Sequence, residues 1–160
     1  MPARTEAEAL RDFTRQVQRA VSRVTRAVVR VGGSGATRSL LLNQGDPARV
    51  TEALALSVLM TVRPERQSGR RAWTTRITAY NYAIECLGRE VLRYDWHPDA
   101  PRDDDGTWVK DPHLHIYYPS GSLRRLLGDA HLPTRRVSVE QVVGLVVELR
   151  ERIRERTRGA

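Results

Sequence analysis

The residues best suited to chemistry are concentrated in one part of this 160-residue chain. All four histidines lie between positions 97 and 131. His113 and His115 stand two apart in a predicted β-strand, so their side chains project from one face while Leu114 and Ile116 project from the other. The alternation predicts that the leucine and isoleucine face the core, and that the histidines lie on the opposite face with Tyr117.

A second polar group ends the preceding predicted strand. Arg93 and Asp95 share one face of that strand, and His97 closes it. In an antiparallel meander this strand lies beside the histidine strand, so Arg93, Asp95, His97, His113 and His115 are expected to be contiguous. The alternative is a polar outer face that binds nothing.

Such a cluster suits acid/base catalysis. Imidazoles titrate near neutrality, so His113 and His115 can serve as base and acid in cleaving a phosphodiester, without a cofactor. Arg93 would bind the phosphate, Asp95 would orient a histidine, and His97 would assist or replace one of the pair. In RNA the 2′-hydroxyl can be the nucleophile.

The same residues also suit a metal ion. His97, His113 and His115, with Asp95 or Asp111, supply three or four nitrogen and oxygen ligands for zinc or a similar divalent ion. The pattern does not choose between catalysis and coordination.

His131 precedes the last predicted helix; it joins the site if its loop folds back over the sheet and is otherwise simply exposed.

The charge of the chain points to phosphate-bearing partners. Basic residues outnumber acidic ones by 27 to 19, a net charge of +8, and all but Lys110 are arginine. A GC-rich coding sequence also produces arginine excess, so the excess alone is weak evidence for a ligand. The segment that interrupts the positive charge is more informative, because residues 94–120 carry six aspartates against two basic residues, a net charge of −4. The candidate nucleic-acid contacts flank this interruption: Arg70, Arg71, Arg124, Arg125, Arg135 and Arg136.

Composition excludes several classes of protein. With 40% hydrophobic residues the chain is expected to fold. The single cysteine, Cys86, excludes a disulfide framework and a four-cysteine zinc site. No stretch approaches the roughly 20 apolar residues of a membrane span, and the first residues lack the apolar core of a signal peptide. These features predict a cytoplasmic protein without membrane contact; they leave its oligomeric state open.

The expected fold is a single α+β domain over 1–160, an antiparallel β-meander of about four strands with an N-terminal and a C-terminal amphipathic helix packed on one face. Residues 1–33 are predicted to form a helix and a glycine-rich turn, 53–120 the meander, and 138–157 the second helix. Within the meander, strands are expected over 53–63 (closed by Pro64), 72–86, 90–96 and 108–118.

Both helices carry capping signals. Thr5 with Glu8, and Ser138 with Gln141, have the spacing of capping boxes. The first helix has an apolar stripe of Leu10, Phe13, Val17, Val21, Val24 and Val28. Residues 24–31 are either the end of this helix or a short strand. The strand is an alternative because β-branched valines favour it.

Three short motifs resemble a known family. Arg93-Tyr94-Asp95, Pro112-His113-Leu114-His115 and the capped helix start at 138–143 resemble the TumE-like toxin domains of bacterial toxin-antitoxin pairs, over roughly residues 54–150. The chain departs from that pattern at Trp96-His97, in the acidic insert that follows, and in its added N-terminal helix. The resemblance implies a growth-inhibiting protein that acts on RNA or the translation machinery and is neutralised by an antitoxin protein.

Two other functional classes fit the residues. One is a non-catalytic module that binds nucleic acid or protein through arginine-rich faces, such as that of Arg15, Arg19 and Arg23 on the first helix. The other is a metalloprotein in which the histidines are ligands.

Overall fold

The chain folds into one antiparallel sheet with a helix at each end. A computed structural model describes residues 3–69, 71–99, 110–117 and 130–158. In these ranges two α-helices and one short 3-10 helix (Asn43–Gly45) accompany eight strands. The α+β class is therefore confirmed, and the sheet is larger than the expected four strands.

The elements follow one another in simple order. The helices are α1 (Glu6–Val21) and α2 (Val139–Arg158). The strands are β1 (Val29–Gly32), β2 (Arg38–Leu42), β3 (Ala48–Arg49), β4 (Leu54–Arg66), β5 (Trp73–Cys86), β6 (Arg89–Trp96), β7 (His113–Ile116) and β8 (Leu132–Pro133). Their order in the sheet is β1-β2-β4-β5-β6-β7-β8, with β3 beside β4 and every pairing antiparallel.

The first helix ends earlier than its apolar stripe predicts. Its capping box is present, but α1 stops at Val21 and the valine-rich segment becomes β1. Gln18 joins the two, since its side-chain oxygen accepts from the Val29 N–H at 2.8 Å and its amide donates to the Ala27 carbonyl. β-Branched residues pack well on a pleated surface, and here pairing with β2 settles residues 29–31 as strand.

Pro64 does not end β4, contrary to expectation. The strand runs on to Arg66, and Pro64 pairs with Thr75 of β5. The pairing of β2 with β4 reaches only Val62, so beyond that residue β4 is an edge. A proline lacks only the N–H that an edge strand does not use.

The histidine strand is shorter than predicted. β7 covers His113–Ile116, whereas 108–118 was expected; residues 108, 109 and 118 lie outside the described ranges. Lys110 to Pro112 are not strand, and Tyr117 follows β7, its N–H bonded to the Val91 carbonyl at 3.0 Å.

Both helices cover the same face of the sheet. Val17 and Val21 of α1 and Val142, Val143 and Val146 of α2 belong to one buried cluster with alternate residues of β4 and β5. Burying such side chains contributes about 1.5–3 kcal/mol each. The other sheet face has no helix among the described elements, and polar side chains collect there. None of the described helices is long and apolar enough to span a membrane.

A tyrosine pair ties the segment before α2 to the sheet. The rings of Tyr80 and Tyr82 stack at 4.6 Å, and the Val137 N–H donates to the Tyr80 hydroxyl at 3.1 Å. The Tyr82 hydroxyl is buried and has no hydrogen-bond partner among the described residues. Burial raises the pKa of both phenols.

This contrast predicts opposite effects of two matched substitutions. Tyr80→Phe leaves the Val137 N–H unsatisfied and should lower the free energy of unfolding by about 1–3 kcal/mol. Tyr82→Phe removes a buried, unpartnered hydroxyl and should be neutral or stabilising. Urea unfolding of both variants measures the difference; equal losses would contradict the bonding pattern.

Candidate functional site

The polar residues meet on the sheet face opposite the helices. The register sets Asn81 of β5 beside Asp95 of β6, and Asp95 beside His113 of β7. The next row on this face pairs Arg93 with His115. The predicted neighbourhood of the two strands is therefore confirmed, and so is the division of β7 between two faces.

Asp95 is the centre of a polar network. Its Oδ1 lies 2.8 Å from His97 Nε2 and accepts a hydrogen bond from Asn81 Nδ2 at 3.2 Å. Arg93 Nε lies 3.2 Å from Oδ2. Asp95 is buried, and a buried carboxylate is stable when it is both paired and hydrogen-bonded. The network fixes the positions of His97 and Arg93 relative to each other.

Three imidazoles form a compact group beside this network. The ring centroids of His113, His115 and His131 lie 4.8, 4.9 and 4.6 Å apart, and the ring planes cross at 67–86°. We call these three residues the imidazole cluster. His113 and His115 are buried despite facing away from the helices, while His131 is exposed.

Pairing of β8 with β7 brings His131 to the cluster. Leu132 pairs with Leu114 and Pro133 with His113, so the chain just before Leu132 lies alongside His115. The Thr134 N–H donates to the Pro112 carbonyl at 2.8 Å and extends this pairing. Of the two alternatives for His131, the structure shows the one in which its segment folds back over the sheet.

The protonation states of the cluster are partly set by its surroundings. His113 Nδ1 lies 2.8 Å from the Asp111 carbonyl, which can only accept, so the Nδ1 proton points there and Nε2 bears the lone pair of the neutral ring. Burial lowers the pKa of His115 to about 4, with help from the Arg93 charge and the neighbouring imidazoles, while Asp95 opposes the shift. His115 is therefore neutral near pH 7.

Arg93 is held by acidic and aromatic neighbours. Besides Asp95, its Nε lies 3.6 Å from Glu90 Oε1, and its guanidinium stands over the Tyr117 ring at 5.5 Å. The Tyr117 ring also stacks on His115 at 6.0 Å. In both ion pairs the nitrogen nearest the carboxylate is Nε.

A small cleft adjoins the site at His97. It has a volume of about 230 Å³ and opens on the same sheet face. Its lining offers hydroxyl groups and one guanidinium; the residues are Thr37, Thr61, Arg63, Thr78, Ala79, His97, Pro98 and Asp99.

The arginine pairs expected to contact nucleic acid are only partly described. Arg71 and Arg135 are exposed. The Arg136 guanidinium lies 3.9 Å from the centroid of the Trp96 ring and covers that side chain. Arg70, Arg124 and Arg125 lie outside the described residues.

Sequence reasoning did not assign Asn81 or Glu90 to the site and left His131 open. Asn81 had a signal: it is the polar residue between Tyr80 and Tyr82 in a strand, so it faces away from them. Glu90 precedes Arg93 by three residues, which gave no comparable signal. His131 had none, because its contact depends on the two-residue strand β8.

Comparisons of the chain with known proteins add no evidence on this site. The chain matches no protein-family model, and comparisons with curated proteins and with solved structures found no match.

Proposed function

We propose that this protein is a toxin-like enzyme that cleaves phosphodiester bonds in RNA at the open sheet face. The observation that carries the proposal is the double role of Asp95, which holds a histidine and an arginine together beside three imidazoles. A positioned base, a phosphate-binding cation and a site for the departing oxygen are what this reaction requires.

Arg93 is the phosphate-binding residue in this proposal. Its terminal nitrogens can donate to two phosphoryl oxygens at once, and its charge offsets the negative charge that builds up in the transition state. The ion pairs with Glu90 and Asp95 keep the guanidinium on this side of the sheet, although Nε makes no hydrogen bond within the described chain.

His97 is the proton acceptor. The Asp95 carboxylate lies 2.8 Å from its Nε2 and orients the ring. His97 takes the proton from a 2′-hydroxyl, the 2′-oxygen forms a bond to phosphorus, and the bond from phosphorus to the 5′-oxygen breaks. The departing 5′-oxygen takes up a proton from water, and a 2′,3′-cyclic phosphate remains.

Two members of the imidazole cluster, His115 and His131, can each donate a ring N–H to the negative oxygen, whereas the N–H of His113 is directed at the Asp111 carbonyl. The cluster adjoins the Asp95 network, with His115 Nε2 4.0 Å from Asp95 Oδ2. The acid/base pairing of His113 with His115 stays a prediction from the sequence. In that pairing His115 could only accept a proton, because its low pKa leaves it neutral near pH 7.

The surroundings of the site suit a polynucleotide. The cleft at His97 provides threonine hydroxyl groups that can bond to a neighbouring nucleotide; its charged side chains are Arg63, which is paired with Glu65, and Asp99. A net charge of +8 attracts the phosphate backbone and makes binding salt-dependent. The toxin role and an antitoxin partner rest on the resemblance of the 93–95, 112–115 and 138–143 motifs to TumE-like toxins.

Growth arrest tests the proposal in cells. Induced expression of the wild-type protein should stop bacterial growth and degrade cellular RNA, whereas His113→Ala and His115→Ala variants should permit growth at equal protein levels. A matched control is Arg89→Ala, which replaces an exposed side chain on the strand that carries Arg93 and Asp95. Toxicity that persists in folded histidine variants would refute the catalytic site, and harmless wild-type protein would refute the toxin role.

A further inference from the structure

We infer that the imidazole cluster is a binding site for a divalent transition-metal ion of the zinc type. His113, His115 and His131 each offer one ring nitrogen, and these three atoms all lie within 4.8 Å of one another. The inference concerns binding of the ion, and it stands whether or not the protein cleaves RNA.

The spacing is within reach of a common ion. Zinc–nitrogen bonds of about 2.0–2.1 Å in tetrahedral geometry place ligand nitrogens roughly 3.3 Å apart. The ligand atoms of the cluster lie within 4.8 Å of one another, so side-chain rotations would have to draw them together by up to about 1.5 Å. Strand pairing fixes the backbone on both sides, because His113 and His115 lie in β7 while His131 adjoins β8.

Ring orientation is compatible with coordination. The three ring planes cross at 67–86°, so the imidazoles meet edge to face, and their ring nitrogens lie near one another. The Asp111 carbonyl keeps the His113 proton on Nδ1 and leaves Nε2 for the ion. Metal-binding histidines usually have such an outer partner, which orients the ring.

Charge near the cluster also permits a cation. Arg93 is a positive neighbour, but Asp95 and Glu90 are paired with it and offset its charge. Asp95 Oδ2 lies 4.0 Å from His115 Nε2, on the side of the cluster that faces β6.

The ligand set selects the class of ion. Imidazole ligands suit zinc, nickel, copper and iron, whereas Mg²⁺ and Ca²⁺ prefer oxygen. Three protein ligands leave a coordination position open, as in catalytic zinc sites. At that position an ion would bind a phosphoryl or departing oxygen directly, and His97 with Asp95 would remain the proton-transfer group.

Calorimetric titration of the 160-residue protein with Zn²⁺, after removal of metal with a chelator, tests the site. Wild-type protein should bind one equivalent, and Mg²⁺ should not compete. His131→Ala changes an exposed side chain and should weaken binding at least about 100-fold while circular dichroism shows an unchanged fold. His131→Cys should regain much of the affinity, because a thiolate is a good zinc ligand.

His97→Ala is the matched control, since it removes a histidine of the same face outside the cluster; it should bind Zn²⁺ as the wild type does. Less than about half an equivalent on wild-type protein, or full binding by His131→Ala, would overturn the inference. Zinc binding by a protein that leaves RNA intact would keep the metal site and refute the proposed function. RNA cleavage by protein that binds no zinc would do the reverse.

Discussion

Asp95→Asn should lower the rate of RNA cleavage by about 100-fold or more while the sheet stays folded. The asparagine has the same shape, but it removes the charge that pairs with Arg93 and lets His97 turn or change tautomer. Loss of a positioned general base costs about 10²–10⁴ in rate. Single-turnover cleavage of a short RNA at saturating protein measures this loss apart from binding.

Asp46→Asn is the control for charge alone, because Asp46 is exposed and lies after β2 rather than on β6. It should retain wild-type activity. Circular dichroism of both variants separates lost catalysis from lost folding. A folded Asp95→Asn variant with wild-type activity would show that His97 needs no partner, and the proposed base would be wrong.

Arg93→Gln should have the second-largest effect, a loss of about 10²–10³ in kcat/KM. That is the usual cost of removing one donor to a developing negative charge. Arg93→Lys keeps the charge but lacks the two-pronged geometry, so it should recover only part of the activity. Initial rates over a range of RNA concentrations separate the effect on kcat from that on KM.

Arg89→Gln serves as the comparison, since Arg89 is an exposed arginine four residues earlier on β6. It should change activity only through weaker general attraction to RNA, an effect that vanishes in high salt. If Arg89→Gln and Arg93→Gln showed the same salt-dependent loss, Arg93 would be one surface cation among many and not the phosphate-binding residue.

The faces of the histidine strand could be predicted because the pleat leaves no alternative. Residues two apart share a face, so apolar Leu114 and Ile116 fixed where His113 and His115 point. The neighbouring strand followed from the short connections typical of a meander, and the register bears this out. Most of the polar site was therefore encoded in two short stretches of sequence.

Other parts depended on interactions that a local pattern does not contain. The stripe of α1 continues in register through Val28, yet hydrogen bonds from Gln18 and pairing with β2 end the helix early. A proline in the sequence predicts the end of a strand. Pro64 lies within β4 because the pairing of β2 with β4 stops at Val62, which leaves Pro64 on an edge of the sheet. His131 is brought to the cluster by β8, a strand of two residues that is too short to be predicted from the sequence.

The most direct test of the central claim is cleavage of a DNA strand that contains a single ribonucleotide. Purified wild-type protein should cut this strand only on the 3′ side of the ribonucleotide, leaving a 2′,3′-cyclic phosphate and a 5′-hydroxyl, and the all-DNA strand should stay intact. Asp95→Asn, purified in parallel, should leave both strands uncut. An intact ribonucleotide-containing strand, or equal cutting by the variant, would contradict the assignment of RNA cleavage to the Asp95 network and its imidazole cluster.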